Sequence, residues 1–474
     1  MKEKAYQQSP LSAVLAALFV LVGVAIAIIR PFAELDSSGQ MMLGSFISGL
    51  AIWIIRPGSG SFFAGSVVII LGGSLSGISL TDLTSGFASP AFWLLIPAMF
   101  LGSALQITGL GKRIVFALFT RIRLSYKKIL FGWLIIGVLF SLLTPSISVR
   151  IMILTPIAVS VADACRLEKQ SKGRSLIVIS AWCAAIFPGI AWFGGSLYGP
   201  VFSAFLPEQH LVDMVTDQLW LQFMALPWLL FSVAFLALLY LLLKPEKEID
   251  VNFSLQKKMY EELGPAGSRE KRCLAVFLFL LANLLFQLFL PINTTQVLLA
   301  SMFLLLFLNV MSVKDVSTGI NWDVVMFFGM LMGLSHLFDI SGIKAWISPM
   351  LLSMLEPLVV SPLIFLVGLY ALCAVIRILD VTQGWVSSAV LAMAAPMLLS
   401  DFGLHPILSI MAFVAAGNIF LFKYHQPWIT QAESVSGDRG WNERHQKTAA
   451  WLYVALVAAM LVMSNFYWSA LGLI

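Results

Sequence analysis

Charge is scarce in this sequence. Asp, Glu, Lys and Arg together make up 11% of the 474 residues, against roughly 25% in soluble globular domains. That is too little to cover a water-facing surface, so a soluble fold is excluded. The four cysteines (Cys165, Cys183, Cys273, Cys373) are scattered with no CxxC spacing, which rules out a disulfide framework and a zinc site. The five histidines (His210, His336, His405, His425, His445) are dispersed, with no HExxH, so the chain lacks the constellation of a membrane-embedded hydrolase. A pore-lining polar stripe and a repeated filter motif are also missing, which argues against a channel. The reading is a protein that is not an enzyme. Its net charge of +5 resides in loops and gives no indication of nucleic-acid binding.

Apolar side chains are abundant. They form 59% of the chain, and mean hydropathy is +0.93. Runs of about 18–25 apolar residues, long enough to span a hydrocarbon core, recur from end to end. The first, Leu11 to Ile29, follows Lys2 and Lys4. It is long for a signal peptide and has no small-residue cleavage site, so it reads as a retained helix. The fold class is an all-α polytopic membrane protein.

The 29 Lys and Arg residues give the orientation, because basic residues collect on the cytoplasmic side. Six lie between Lys112 and Lys128, four between Arg166 and Arg174, seven between Lys244 and Arg272, and three between Arg439 and Lys447. Lys2, Lys4, Arg56 and Lys314 also fall at ends that alternation makes cytoplasmic. The opposite loops hold only Arg30 and Lys344, and Pro207–Gln218 is acidic, with Glu208, Asp213 and Asp217. The N-terminus is expected in the cytoplasm and the C-terminus outside a cell (inner) membrane. Three basic residues are left at membrane depth: Arg150, Arg377 and Lys423.

The apolar segment 129–165 is flanked on both sides by basic loops. This predicts a re-entrant hairpin from the cytoplasm, turning at Thr144-Pro145-Ser146; two short ordinary helices are the alternative. Irregular backbone at that depth must be buried in protein or line a cavity. A second hairpin, 361–400, is flanked by almost no Lys or Arg and is expected on the outer side, with its turn near Asp380–Gly384. Hairpins from opposite faces imply an inverted repeat. Laid over each other without gaps, Gly86–Ile114 and Gly319–Ile347 share Gly86/Gly319, Met99/Met332, Ile107/Ile340, Gly109/Gly342 and Ile114/Ile347. The expected organisation is N-terminal helices at 1–85, a first repeat at 86–243, a cytoplasmic linker at 244–273 and scaffold helices at 274–318. A second repeat at 319–430 and a last loop and helix at 431–474 complete about 11 transmembrane helices and two re-entrant hairpins.

The chain at this point resembles the divalent anion/sodium symporter (DASS) family. The resemblance covers most of 40–430 and rests on PAFW…ALQITGLGKRI, NWDVVMFFG…FDISGIKAWI and the hairpin tips. The first tip, Thr144-Pro145-Ser146-Ile147-Ser148-Val149-Arg150, is similar to the Thr-Pro-Ser-Asn-Thr-Ala-Arg form of citrate and 2-oxoglutarate/malate translocators, with Ile147 replacing the asparagine. In the second tip Ser387 and Ser388 match the polar pair, with Thr382 and Gln383 as alternatives. Phe187–Pro200 and Gly417–Pro427 look like the family's two broken helices. Gly189, Gly195 and Ser196 fit the first pattern, although Trp192 stands where a small hydroxyl is expected. Lys423 stands where relatives carry neutral residues.

The resemblance implies a secondary transporter of small di- or tricarboxylates working by alternating access, within a homodimer, in contact with the lipid bilayer. Inorganic anion transport (sulfate) or cation/proton antiport is the alternative. Candidate substrate-binding residues are Thr144, Ser146, Ser148, Arg150, Thr382, Gln383, Ser387, Ser388 and Lys423. Candidates for ion binding or coupling are Gly189, Gly195, Ser196, Asn418 and Asp380. No cofactor is expected, and Na+ or H+ are the candidate coupling ions. A dehydrated anion needs hydroxyl and N–H donors and positive charge. Arg150 and Lys423 are expected to supply that charge permanently, which favours exchange or proton coupling over bound sodium. Arg377, three residues before Asp380, is expected to brace the outer hairpin. His336 and Asp339 are expected either to relay protons or to bond one another.

Overall fold

Hydroxyl and amide side chains start the helices. Ser125 accepts the Lys128 N–H at the head of Tyr126–Leu143, Ser171 accepts Arg174 N–H at Lys172–Ile186, and Ser361 accepts Ile364 N–H at Pro362–Ile376. Asn321 and Asn442 do the same for Trp322–Met332 and Glu443–Ala470. Each cap satisfies an N–H that a low-dielectric surrounding would otherwise leave bare. The computed structural model describes residues 10–55, 60–120, 125–245, 249, 260–286, 294–380, 382–437 and 440–474. Much of the expected linker, 246–248 and 250–259, lies outside the described residues, as do Lys2, Lys4, Arg56, Arg121, Arg123 and Arg439.

Among the described residues the structure is helical and contains no strand. Nine helices are long and apolar enough to cross a membrane, or ten if the pair Ile343–Leu358 and Pro362–Ile376, bent by 119°, counts as one span. About 11 were expected for the whole chain, against these nine or ten among the described residues. Several further apolar helices, including Ser61–Leu75, Thr294–Phe307 and Pro406–Gly417, are too short to cross alone. The outer faces confirm the solvent. On Glu443–Ala470, Tyr453, Val457 and Leu461 are buried, while Trp451, Met463 and Phe466 are exposed. A helix with apolar residues on both its buried and exposed faces belongs in lipid. The protein is a multi-pass membrane protein.

Two compact units form. One comprises Met1–Trp93, Val201–Val215 and Asn321–Gly417; the other comprises Leu94–Pro200, Thr216–Ile320 and Asn418–Ile474. In the first, Trp385 stacks on Phe202 at 4.7 Å and meets Phe328 edge-on at 5.3 Å. In the second, Phe187 stacks on Tyr453 at 5.3 Å and packs edge-on against Phe231 and Phe235.

The inverted repeat is visible in backbone conformation. Gly109 and Gly342, aligned in the sequence, are both left-handed helix caps, with φ of 78° and 71°. Both broken helices carry the same device. Lys172–Ile186 gives way to a short 3-10 turn at Phe193–Gly195, and Pro406–Gly417 to one at Lys423–His425. Trp192 and Phe422 enter these turns with φ/ψ of −128°/149° and −113°/150°; Ser196 and Gln426 leave them extended.

Candidate functional site

The first tip lies in the second unit. Tyr126–Leu143 ends at Thr144, whose buried hydroxyl donates to the Ala98 carbonyl at 3.2 Å and accepts the Ser146 N–H at 3.2 Å. Ser146 then caps Ile147–Ala164. The turn falls where proline and hydroxyls predict it. Each arm is 18 residues, about 27 Å of helix, so either arm is long enough to cross by itself. One turn into the second arm sits Arg150, with 0% of its surface exposed.

Arg150 is held by backbone. Its Nη2 donates to the Gly195 carbonyl at 2.9 Å, and a Cβ on Gly189 would fall on the guanidinium and on the Gly195 carbonyl. Only glycine allows this approach. Nε and Nη1 are buried and have no hydrogen-bond partner among the described residues, and no carboxylate there pairs with Arg150. A buried guanidinium with two unmade donors has the charge and the geometry to take an anion.

The rest of the second unit's polar set is connected. Trp192, standing where a small hydroxyl was expected, donates its indole N–H to the Ser141 carbonyl at 3.2 Å and closes the break against the first hairpin arm. Ser196 is buried and accepts the Tyr198 N–H at 3.4 Å. The Tyr198 hydroxyl donates to Asn418 Oδ1 at 2.8 Å, and Gln426 Nε2 donates to the same oxygen at 3.4 Å. Ser148 receives a hydrogen bond from the Gln431 amide. Tyr198 and Gln431 are absent from the predicted set. The Tyr198 position, two residues beyond Ser196 in the break, was the available signal; nothing local marked Gln431.

Lys423 requires a correction. Its side chain is 51% exposed and its ammonium lies 2.9 Å from Glu433. It is a partly exposed, neutralised ion pair, not a second free cation. A glutamate ten residues downstream, on Pro427–Ser436, supplies the counter-charge.

The second tip lies in the first unit. Asp380 accepts from the Thr382 N–H at 2.8 Å and from the Thr382 hydroxyl. Its other oxygen accepts from the Ser387 hydroxyl at 2.6 Å and the Ser387 N–H at 3.2 Å. Arg377, also fully buried, donates to the Asp380 main-chain carbonyl, so it does brace this hairpin. Gln383, at φ 63°, accepts the Trp385 indole N–H at 3.2 Å. Ser388 is buried on Trp385–Leu391. His336 and Asp339 do not pair with each other: His336 meets Asp82 at 3.0 Å, and Asp339 meets Lys344 at 3.3 Å. The Ser79 hydroxyl, followed by His336, holds the Asp82 carboxyl below its ordinary range.

A family model described as the sodium:sulfate symporter transmembrane region matches residues 10–474. The inner membrane protein YbhI of Escherichia coli strain K12 is 24% identical over 327 residues, 67% of this chain and 68% of that one. An uncharacterized transporter of Haemophilus influenzae is 25% identical over 341 residues, 66% of this chain and 68% of that protein. The crystal structure of the Alcanivorax borkumensis YdaH transporter shares the fold, with a TM-score of 0.55 at 14% identity, covering 98% of both chains.

Proposed function

The chain belongs to the sodium:sulfate symporter (DASS) family of membrane transporters, and from that premise we propose that it carries a small organic carboxylate by alternating access, in exchange for a second anion. One observation carries this reading: Arg150 is fully buried, its Nε and Nη1 unpaired among the described residues. An ionisable residue at membrane depth marks a substrate or ion path, and a guanidinium fork matches a carboxylate. Thr144 and Ser146 supply the turn at which the anion meets it. The family's description points to sodium coupling. The engaged Gly195 carbonyl supports exchange instead, with protons as the second coupling choice. The distribution of Lys and Arg supports a cytoplasmic N-terminus and an outer C-terminus, and the family resemblance supports a homodimer.

The test is uptake of labelled lactate, succinate, citrate and 2-oxoglutarate into proteoliposomes of the purified protein. Each anion is tried with a sodium gradient, with a proton gradient, and with the same anion preloaded. Uptake that needs only preloaded anion and is lost in Arg150→Ala is the expected result. Strict sodium dependence would return the protein to symport. Uptake of sulfate but of no carboxylate would make the inorganic reading the correct one.

A further inference from the structure

The hydroxyls of the first tip differ in where their protons go. Thr144 gives its proton to the Ala98 carbonyl. Ser146 and Ser148 do not: among the described residues each hydroxyl is engaged only through its oxygen. The Ser146 oxygen accepts the Val149 N–H at 3.5 Å, and the Ser148 oxygen accepts an N–H from the Gln431 side chain. A serine hydroxyl has one proton and two lone pairs, so both keep a proton to donate.

Elsewhere in the chain helical serines lose that proton to their own helix. Ser45, Ser66, Ser160, Ser232 and Ser301 each donate to the carbonyl four residues back. Ser148 stands in the first turn of Ile147–Ala164, and the residue four back, Thr144, is extended and lies outside that helix. For Ser146 the orienting N–H comes from the helix it caps. For Ser148 it comes from another element, Pro427–Ser436, which packs against Ile147–Ala164. That element is seated without this bond: Ile429 and Ala432 are fully buried, and Glu433 pairs with Lys423 at 2.9 Å. Ser148 and Gln431 are only half-buried, so a solute can reach the proton they orient.

Resting on the reading of Arg150 as an anion anchor, we propose that Gln431 is a positioning residue of the same site. Its amide N–H fixes the Ser148 oxygen as an acceptor and so turns the Ser148 proton outward, as a donor to the transported anion. Ser146 and Ser148 then present two oriented O–H groups on the turn that leads into Arg150, and all four residues belong to one compact unit. A hydroxyl that accepts a hydrogen bond is polarised into a stronger donor. An ionised carboxylate offers acceptors only, so donors set in this way are what it requires.

The experiment is a double-mutant cycle on the full-length protein in proteoliposomes. It reads the KM for uptake of labelled succinate, under the gradient that drives it, in wild type, Ser148→Ala, Gln431→Met, the double variant and Arg150→Met. Gln431→Met keeps the length and removes the donor, and is expected to raise KM roughly two- to tenfold, the worth of one hydrogen bond. In the Ser148→Ala background the same change should leave KM where it was, because Gln431 acts through that hydroxyl. Gln431→Glu adds a pH readout, taken as the ratio of its KM to that of wild type at equal pH on both sides. Ionised at about pH 8, the new carboxylate accepts the Ser148 proton and repels the anion; protonated near pH 5, it donates to the Ser148 oxygen as the amide did, and the ratio should fall roughly tenfold. Equal KM increases from Gln431→Met in both backgrounds, or a Gln431→Glu ratio flat with pH, would overturn the proposal. Arg150→Met tests the reading beneath it: a wild-type KM there sinks the anchor and the proposal together, whereas lost uptake beside unaltered Gln431 variants leaves the anchor standing and removes the proposal alone. A wild type that takes up sulfate and not succinate is put through the same cycle with sulfate, and the same outcomes decide; uptake of neither overturns the proposal.

Discussion

Replacing Arg150 with methionine should make the anion-free protein more stable while abolishing transport. Methionine follows the course of the arginine stem and fills most of its volume, so packing against Gly189 is largely kept. The wild type buries Nε and Nη1 without partners among the described residues, and each unmade buried donor costs about 1–3 kcal/mol. Against that relief stands the single bond to the Gly195 carbonyl, whose loss leaves a buried acceptor at a cost of about 1–3 kcal/mol. Releasing two such donors and orphaning one acceptor gives a net gain of about 2 kcal/mol. Removing the desolvated charge adds to it, in the sense in which apolar replacements of buried ionic groups stabilise by roughly 1–4 kcal/mol. The assay is the melting temperature of both proteins in detergent, first in a buffer whose anion is too large to enter, then with added substrate anion. Anion binding at a hundredfold excess over Kd should return about 2.7 kcal/mol to the wild type alone. A methionine variant that melts well below the anion-free wild type would show that Arg150 is structurally compensated, and the anchor argument would fail with it.

Three further outcomes follow. Gly189→Ala places a methyl on the Arg150 guanidinium and the Gly195 carbonyl; the rigid carbonyl forces the arginine to move, and substrate affinity should drop at least tenfold with about 1–3 kcal/mol lost from stability, read as a KM rise and a lower melting point. Lys423→Ala and Glu433→Ala break only a partly exposed pair, worth about 0–1 kcal/mol, so exchange rates should stay near wild type; loss of transport in Lys423→Ala alone would restore that lysine to the site. Gly109→Ala and Gly342→Ala, at φ 78° and 71°, with open space at the first Cβ and only an ordinary contact to Leu35 at 4.0 Å at the second, should each cost about 1–2 kcal/mol from the left-handed backbone alone, and unequal costs measured by chemical unfolding would count against their equivalence in the repeat.

The fold was legible because a membrane enforces simple rules. Apolar runs of spanning length, the alternation of basic and bare loops, and a polar turn at Thr144–Ser146 are each local in sequence. The Gly109/Gly342 match was legible for a stronger reason: a left-handed cap tolerates almost only glycine, so the backbone requirement writes itself into the chain. The identical 3-10 turns at Phe193–Gly195 and Lys423–His425 were less visible, since extended φ/ψ at Trp192 and Phe422 constrains no residue type. Shared conformation survived there without shared residues.

Charge compensation was the least legible property, because it depends on partners rather than on types. Arg150, Arg377 and Lys423 looked alike as three basic residues in apolar sequence. Folding separates them: Lys423 finds Glu433 on an exposed face, Arg377 braces a tip that holds its own carboxylate, and the Arg150 guanidinium, among the described residues, bonds the Gly195 carbonyl alone. Nor were the partners of Asp380 recognisable, since seven residues of backbone must curl to bring Ser387 onto its carboxylate. The same curl turns Thr382 and Ser387 onto a carboxylate of the chain itself. A hydroxyl-rich motif at a hairpin tip therefore states which donors exist, and only the folded tip states whether any of them is still free to receive a substrate.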